Sequence, residues 1–147
     1  MSSKPTIIVV DDCQIFRQGL VSIINLEQIA TVYGEASTAI EFMELLTQLN
    51  QDLVLINIDM YGMNVRDTTK QAMDLFPLLK IIVYSTLGKE KHFEEMIGIG
   101  VKGYILKSCG ITELEKAIGQ VMMGGSYFPS RSVKNLSADS DRKYLKN

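Results

Sequence analysis

The sequence predicts an α/β domain built on a parallel sheet, and two observations carry that prediction. Short apolar runs rich in Val, Ile and Leu alternate with longer segments whose apolar residues repeat at helical spacing. Solid apolar runs are typical of strands buried on both faces, and the intervening helices supply the crossovers of a parallel sheet. The 147 residues suit one domain with a sizeable core.

The elements alternate along the chain. Four solid apolar runs and one weaker run predict strands at 6–10, 30–37, 52–58, 78–85 and 103–107. Periodic apolar residues predict helices at 14–28, 38–50, 65–76, 88–98 and 111–123. In the first helix we expect one packing face, made of Ile15, Phe16, Leu20, Ile23 and Ile24. The two glycines at 124–125 indicate the end of the last helix.

Polar residues stand at the carboxyl ends of the predicted strands, where such sheets bind ligands. They are Asp11 and Asp12, then Asn57 and Asp59, then Ser85, and finally Lys107. In a strand order 2-1-3-4-5 these groups converge, because neighbouring strands lie about 4.8 Å apart. Paired carboxylates suit Mg²⁺, and a hydroxyl and a lysine beside them suit an incoming phosphoryl group.

The motifs around these positions are "VVDD" (9–12), "DLVLINIDMYGM" (52–63), "IIVYST" (81–86) and "GYILKS" (103–108). Together they resemble the receiver domain of two-component response regulators, over about residues 5–128. The segment "GGSYFPS" (124–130) is similar to the end of receivers in the NarL/LuxR class. The resemblance implies a flavodoxin-like, doubly wound sheet of five parallel strands with five helices.

The resemblance also implies roles for single residues. Asp11, Asp12 and the main-chain carbonyl of Asp59 match the ligands of Mg²⁺, to which Asn57 would add only a weak neutral oxygen. Ser85 and Lys107 match the catalytic hydroxyl and lysine that bind the phosphoryl group. Ser85 and Tyr104 match the switch pair, in which the aromatic ring moves inward on activation.

Position 57 departs from the family pattern, since the family has the phospho-accepting aspartate there and this chain has Asn57. Tyr61 and Val65 also stand where the family usually has proline and glycine. An amide has no anionic oxygen to attack phosphorus. We therefore expect a non-enzymatic receiver with a degenerate acceptor site, which signals through protein contacts and regulates transcription. The alternatives are an ordinary receiver with an inactivating Asp→Asn substitution and, less well supported, a Mg²⁺-dependent phosphohydrolase.

Residues 1–128 are expected to form the receiver, and 129–147 a polar basic tail or a truncated linker. That tail has five basic residues against two acidic ones, a charge of +3 that leaves −5 for the rest. Expected partners are a sensor histidine kinase or other signalling protein, a second copy in a homodimer, and DNA only through a helix-turn-helix domain outside this chain. With neither a signal peptide nor a membrane-length apolar run in the sequence, the expected location is the bacterial cytoplasm.

Overall fold

The structure is a computed structural model that describes residues 4–86 and 90–128, with only the backbone of residues 90 and 91. Its strands are β1 (Thr6–Val10), β2 (Thr31–Ala36), β3 (Leu53–Asn57), β4 (Lys80–Ser85) and β5 (Gly103–Leu106). Its helices are α1 (Gln14–Leu26), α2 (Ala39–Gln48), α3 (Val65–Leu75), α4 (Glu90–Ile99) and α5 (Ile111–Met122). All ten predicted elements are confirmed. The predicted helix residues 88–89 and the predicted tail 129–147 lie outside the described residues.

The strands form one parallel sheet in the order β2-β1-β3-β4-β5, as the sequence predicts. The switch point in strand order therefore lies between β1 and β3, whose carboxyl ends carry the acidic residues. Asn57 pairs in register with Tyr84 on β4. The backbone N–H of Ile58 continues this ladder and donates to the Tyr84 carbonyl at 2.9 Å. The side chains that follow β1, β3 and β4 are thus held side by side.

Two helical layers cover the sheet. Helices α1 and α5 bury one face of it with apolar side chains that include Ile24, Leu114 and Val121. Helices α2, α3 and α4 bury the other face with side chains that include Phe42, Ala72 and Phe93. Strands β1, β3 and β4 are almost entirely buried, which explains their solid apolar sequences. None of the described helices combines the length and the hydrophobicity that spanning a bilayer requires.

The packing face predicted for α1 is only partly buried. Ile24 is fully buried, but Ile15 is 86% exposed and Ile23 is 47% exposed. Helical spacing shows which residues share a face, whereas burial also requires that a neighbouring element reach across that face. At α1 the sheet covers one side of the apolar stripe, and the outer side remains at the surface.

The chain after α5 returns to the edge of β5. Gly124 has a φ of +93°, in the left-handed region that favours glycine, and it ends the helix as predicted. Tyr127 then forms a parallel bridge with Gly103. Its carbonyl accepts from the Tyr104 N–H at 2.9 Å, and Phe128 packs against Phe93 at a ring distance of 5.6 Å. The described C-terminus is therefore fixed beside the fifth strand.

Candidate functional site

Four residues at the ends of β1 and β3 form what we call the acid half of the site: Asp11, Asp12, Asn57 and Asp59. Asp11 is fully buried and Asn57 is 2% exposed. The Asn57 Nδ2 group donates to Asp11 Oδ1 at 3.1 Å and to the Asp59 carbonyl oxygen at 2.9 Å. Asn57 Oδ1 accepts from the Asp59 N–H at 3.1 Å. The amide thus links a carboxylate and a carbonyl that the resemblance assigns to metal binding.

The orientation of the Asn57 amide follows from these partners. Both neighbours of Nδ2 are acceptors, and the neighbour of Oδ1 is a donor. Turning the amide over would face its oxygen toward two other oxygens and its NH₂ group toward the Asp59 N–H. The observed orientation is therefore the one that satisfies all three contacts.

The buried charge of Asp11 is stabilised by further donors. Its Oδ1 also accepts from the backbone N–H of Cys13 at 2.9 Å. Its Oδ2 accepts from the Tyr84 hydroxyl at 2.8 Å. Burial, followed by the nearby Asp11 carboxylate, raises the pKa of Tyr84, so this phenol remains protonated and donates. Three hydrogen bonds thus reach the two oxygens of one carboxylate.

Lys107 completes the surroundings of Asp11. Its ammonium lies 3.8 Å from Asp11 Oδ2, as expected for a side chain that leans inward from β5. This distance makes an ion pair without a hydrogen bond. The ammonium also lies 4.6 Å from the centre of the Phe16 ring, within the range of a cation–π contact.

The oxygens expected to bind Mg²⁺ already accept hydrogen bonds. Asn57 donates to Asp11 and to the Asp59 carbonyl, and the Tyr61 N–H donates to Asp12 Oδ2 at 3.0 Å. An NH₂ group directs positive hydrogens at two oxygens that a cation would otherwise contact. In this arrangement the site does not fit a divalent cation unless the Asn57 side chain first turns away. Among the described residues, no group of three or more His, Cys, Asp or Glu side chains is arranged to hold a metal ion.

Ser85, Phe93 and Tyr104 form what we call the switch half of the site. Ser85 is fully buried at the end of β4, and its hydroxyl lies 2.8 Å from the Tyr104 hydroxyl. The Tyr104 ring is fully buried and stacks on Phe93, with 3.7 Å between centroids and 25° between planes. Tyr104 therefore lies in the inward position.

The structure brings the predicted site residues together in these two halves, joined through Lys107. The Lys107 N–H donates to the Ser85 carbonyl at 2.8 Å, while its side chain reaches toward Asp11. Sequence reasoning missed Tyr84 and Phe93. The signal for Tyr84 was available, because a tyrosine within a fully buried strand needs a partner for its hydroxyl. Phe93 lies within the helix predicted at 88–98, but helical periodicity gives no sign of its contact with Tyr104.

Comparison with known proteins identifies the family. The family model for the response regulator receiver domain matches residues 7–119. This chain belongs to that family. The transcriptional regulatory protein DegU of Brevibacillus brevis is 28% identical over 134 residues, covering 91% of this chain and 57% of DegU. The nitrate/nitrite response regulator NarL of Escherichia coli K12 is 32% identical over 119 residues, covering 81% of this chain and 55% of NarL. The chain thus spans little more than half of these relatives.

Solved structures show the same fold. A LuxR-family two-component response regulator from Aurantimonas sp. SI85-9A1 superposes with a TM-score of 0.84 at 22% identity, covering 94% of this chain and 99% of that one. The isolated receiver domain of RcsB from Salmonella enterica serovar Typhimurium, solved with a phosphomimetic, gives a TM-score of 0.79 at 23% identity. That match covers 90% of this chain and 98% of the RcsB domain.

Proposed function

We propose that this chain is a degenerate receiver domain, which signals through protein–protein contacts without an acyl phosphate at position 57. The observation that carries the proposal is the double hydrogen bond from Asn57 Nδ2 to Asp11 and to the Asp59 carbonyl. A receiver aspartate attacks phosphorus with an anionic oxygen. At position 57 the side chain instead offers a neutral amide whose hydrogens are bound to the surrounding oxygens.

The inward position of Tyr104 supports the same proposal. In the family the corresponding aromatic ring moves inward when the domain activates. Here stacking on Phe93 and the contact with Ser85 hold the ring inside the domain. We therefore propose that the switch half keeps an active-like arrangement without a phosphoryl group at position 57, and that the chain is not an enzyme.

The proposed output is the regulation of transcription. DegU is named a transcriptional regulatory protein, and RcsB has been solved as two dimers bound to two parallel DNAs. By analogy, we propose that this receiver acts with a DNA-binding domain, either attached to it or on a partner protein. Its other proposed partners are a sensor histidine kinase or another signalling protein and a second copy of the chain, all in the bacterial cytoplasm.

Mg²⁺ binding is proposed to be weak. A cation that reaches Asp11 and the Asp59 carbonyl must first displace the Asn57 amide, at the cost of two hydrogen bonds. Asn57 then contributes a neutral oxygen where an aspartate would contribute a charge. No step of the proposed function requires the ion.

Incubation with acetyl phosphate and Mg²⁺, followed by intact-mass measurement, tests the proposal. We expect no phosphoryl group on the native chain. A stoichiometric gain of one phosphoryl group would contradict the degenerate-site proposal, and its mapping to Asp59 would identify a displaced acceptor.

The variant Asn57→Asp is the positive control, because it restores the nucleophile beside Asp11 and Lys107. We expect it to be labelled more slowly than the triple variant that adds Tyr61→Pro and Val65→Gly. Proline would restrict the backbone of the loop, and glycine would allow conformations that β-branched valine resists. If neither variant is labelled, the assignment of Ser85 and Lys107 to phosphoryl binding is wrong.

A further inference from the structure

A cavity of about 370 Å³ lies between α1 and the start of α5. Its wall is mostly apolar and includes Ile15, Phe16 and Leu20 from α1 and Leu114 from α5. Small-molecule sites commonly have volumes of about 300–1,000 Å³, apolar walls and a few polar groups that orient the ligand. This cavity has the size and the wall of such a site, and it meets the site described above at Lys107 and Tyr84.

Lys107 is the one charged residue among the described residues that line the cavity. Its side chain is 20% exposed, and its ammonium rests 4.6 Å from the centre of the Phe16 ring. Asp11 and Asp12 are absent from the wall, although Tyr84, whose hydroxyl donates to Asp11 Oδ2, forms part of it. Lys107 is therefore the charged group that an occupant of the cavity would meet at the wall.

Among the described residues, the Lys107 ammonium makes an ion pair and a cation–π contact but no hydrogen bond. Asp11 accepts hydrogen bonds from Asn57, Cys13 and Tyr84, whereas the Lys107 ammonium stays 3.8 Å from it. An ammonium has three donors, and a carboxylate is a strong acceptor for them. A carboxylate in the cavity could bind Lys107 without removing a hydrogen bond from Asp11.

We propose that this cavity binds a small apolar molecule that carries a single carboxylate. The carboxylate would bind Lys107, and the apolar part would lie between α1 and α5. A ligand with one negative charge matches a cavity wall whose one charged side chain, among the described residues, is Lys107. Gly19 lies on the wall and leaves the space beside α1 open, since a Cβ there would meet nothing within 4 Å. This inference does not depend on whether residue 57 accepts a phosphoryl group.

Binding of octanoate to the chain, followed by ¹H–¹⁵N NMR, tests the inference. Octanol and octylamine serve as the neutral and cationic counterparts of this probe. We expect saturable shifts of amides in residues 15–23 and 105–114 with octanoate. We expect octanol to bind at least about tenfold more weakly, because a hydrogen bond to a charged group is lost. Equal affinities of octanoate and octanol, or no saturable shift, would overturn the proposal.

Two pairs of variants locate the site. Lys107→Met should reduce octanoate affinity to that of octanol, whereas Lys102→Met, an exposed lysine just before β5, should leave it unchanged. Gly19→Leu should fill the cavity and abolish binding, whereas Gly119→Leu on α5 should not. Both leucines favour helix over glycine, and circular dichroism would verify the fold. Unchanged binding by Gly19→Leu would contradict the proposed site.

Sedimentation of the ligand-free chain and of its Gly19→Leu variant provides the remaining test. The proposal expects both to sediment alike. A native dimer that Gly19→Leu converts into a monomer would show that a second copy of the chain occupies the cavity, and the proposal would then be wrong.

Discussion

The acid half and the switch half of the site hold their polar groups by different means. In the acid half, a fully buried carboxylate is surrounded by three hydrogen-bond donors and an ammonium. In the switch half, two neutral hydroxyls share one hydrogen bond, and a stacked ring pair fixes the tyrosine. Loss of a donor in the acid half therefore leaves a buried charge less compensated. In the switch half it breaks only a hydrogen bond between uncharged groups. Substitutions in the acid half should therefore change the unfolding free energy more than substitutions in the switch half, and the size of the change should depend on Mg²⁺.

Asn57→Asp should give the largest effect on stability. The variant removes the amide donor from Asp11 and places a second carboxylate beside it, so we expect a loss of about 2–4 kcal/mol in unfolding free energy without Mg²⁺. Added Mg²⁺ should recover part of the loss, because a cation between the two carboxylates relieves their repulsion. Urea unfolding measures these differences.

Asn64→Asp is the matched control for that measurement. Asn64 is the N-cap of α3 and accepts from the Asp67 N–H, a role that aspartate fills equally well. We expect the Asn64→Asp variant to be about as stable as the native chain, and we expect Mg²⁺ to leave its unfolding free energy unchanged. If the native chain and Asn57→Asp are equally stable without Mg²⁺, the Asn57 amide does not stabilise the Asp11 carboxylate.

Tyr84→Phe should give the next largest effect. It keeps the buried ring but removes the hydroxyl that donates to Asp11 Oδ2 at 2.8 Å. We expect a loss of about 1.5–3 kcal/mol, the usual cost for a hydrogen bond to a charged group. The control is Tyr33→Phe, because Tyr33 lies on β2 and is 49% exposed. It should change the unfolding free energy by less than about 0.5 kcal/mol. Similar losses in both variants would mean that the Tyr84 hydroxyl does not stabilise the carboxylate.

Mg²⁺ affinity should differ between the native chain and Asn57→Asp by about tenfold, with the variant binding more tightly. The Coulombic gain from a new carboxylate is about 4 kcal/mol at 4 Å and an effective dielectric of 20, but solvation offsets most of it. NMR titration of the Asp11, Asp12 and Asp59 amides measures the affinity. Equal affinities would show that the Asn57 amide does not compete with the ion.

The smallest effect should come from the switch half. A double-mutant cycle of Ser85→Ala and Tyr104→Phe should give a coupling energy of about 0.5–1.5 kcal/mol, typical of a neutral hydrogen bond. Phe93 still covers the ring in Tyr104→Phe, so the ring should remain buried. Urea unfolding gives the coupling, and ring contacts in NMR report the ring position. An outward ring in Tyr104→Phe would show that the hydroxyl contact, and not the stacking, holds it.

Most of the fold could be predicted from the sequence because its strands are buried on both faces. In β3 all five residues are buried, and its first four make an unbroken apolar run whose short length favours a strand over a buried helix. The surroundings of α1 could not be predicted in the same way. Periodicity placed Ile15 and Ile23 on the apolar face, but the way in which the helix lies on the sheet decides which part of that face is covered.

The candidate site was predictable as a set of positions and not as a set of contacts. Strand ends in a parallel sheet meet at one edge, so Asp11, Asn57 and Ser85 could be expected together. Which donor satisfies which oxygen depends on side-chain directions that the pattern does not encode. The hydroxyl of Tyr84 reaches Asp11 across β3, from a strand that the sequence describes only as apolar.

The hydrogen bond between the Ile58 N–H and the Tyr84 carbonyl also affects the spontaneous deamidation of Asn57. Asparagine turns into aspartate or isoaspartate when the next backbone nitrogen attacks its side-chain carbonyl carbon and ammonia leaves, after which water opens the resulting succinimide ring. In this chain that nitrogen belongs to Ile58 and is held in the sheet, while the amide of Asn57 is held by three hydrogen bonds. Both the attacking nitrogen and the amide that it must reach are therefore held in place, and we expect the folded protein to deamidate at this position more slowly than the unfolded chain.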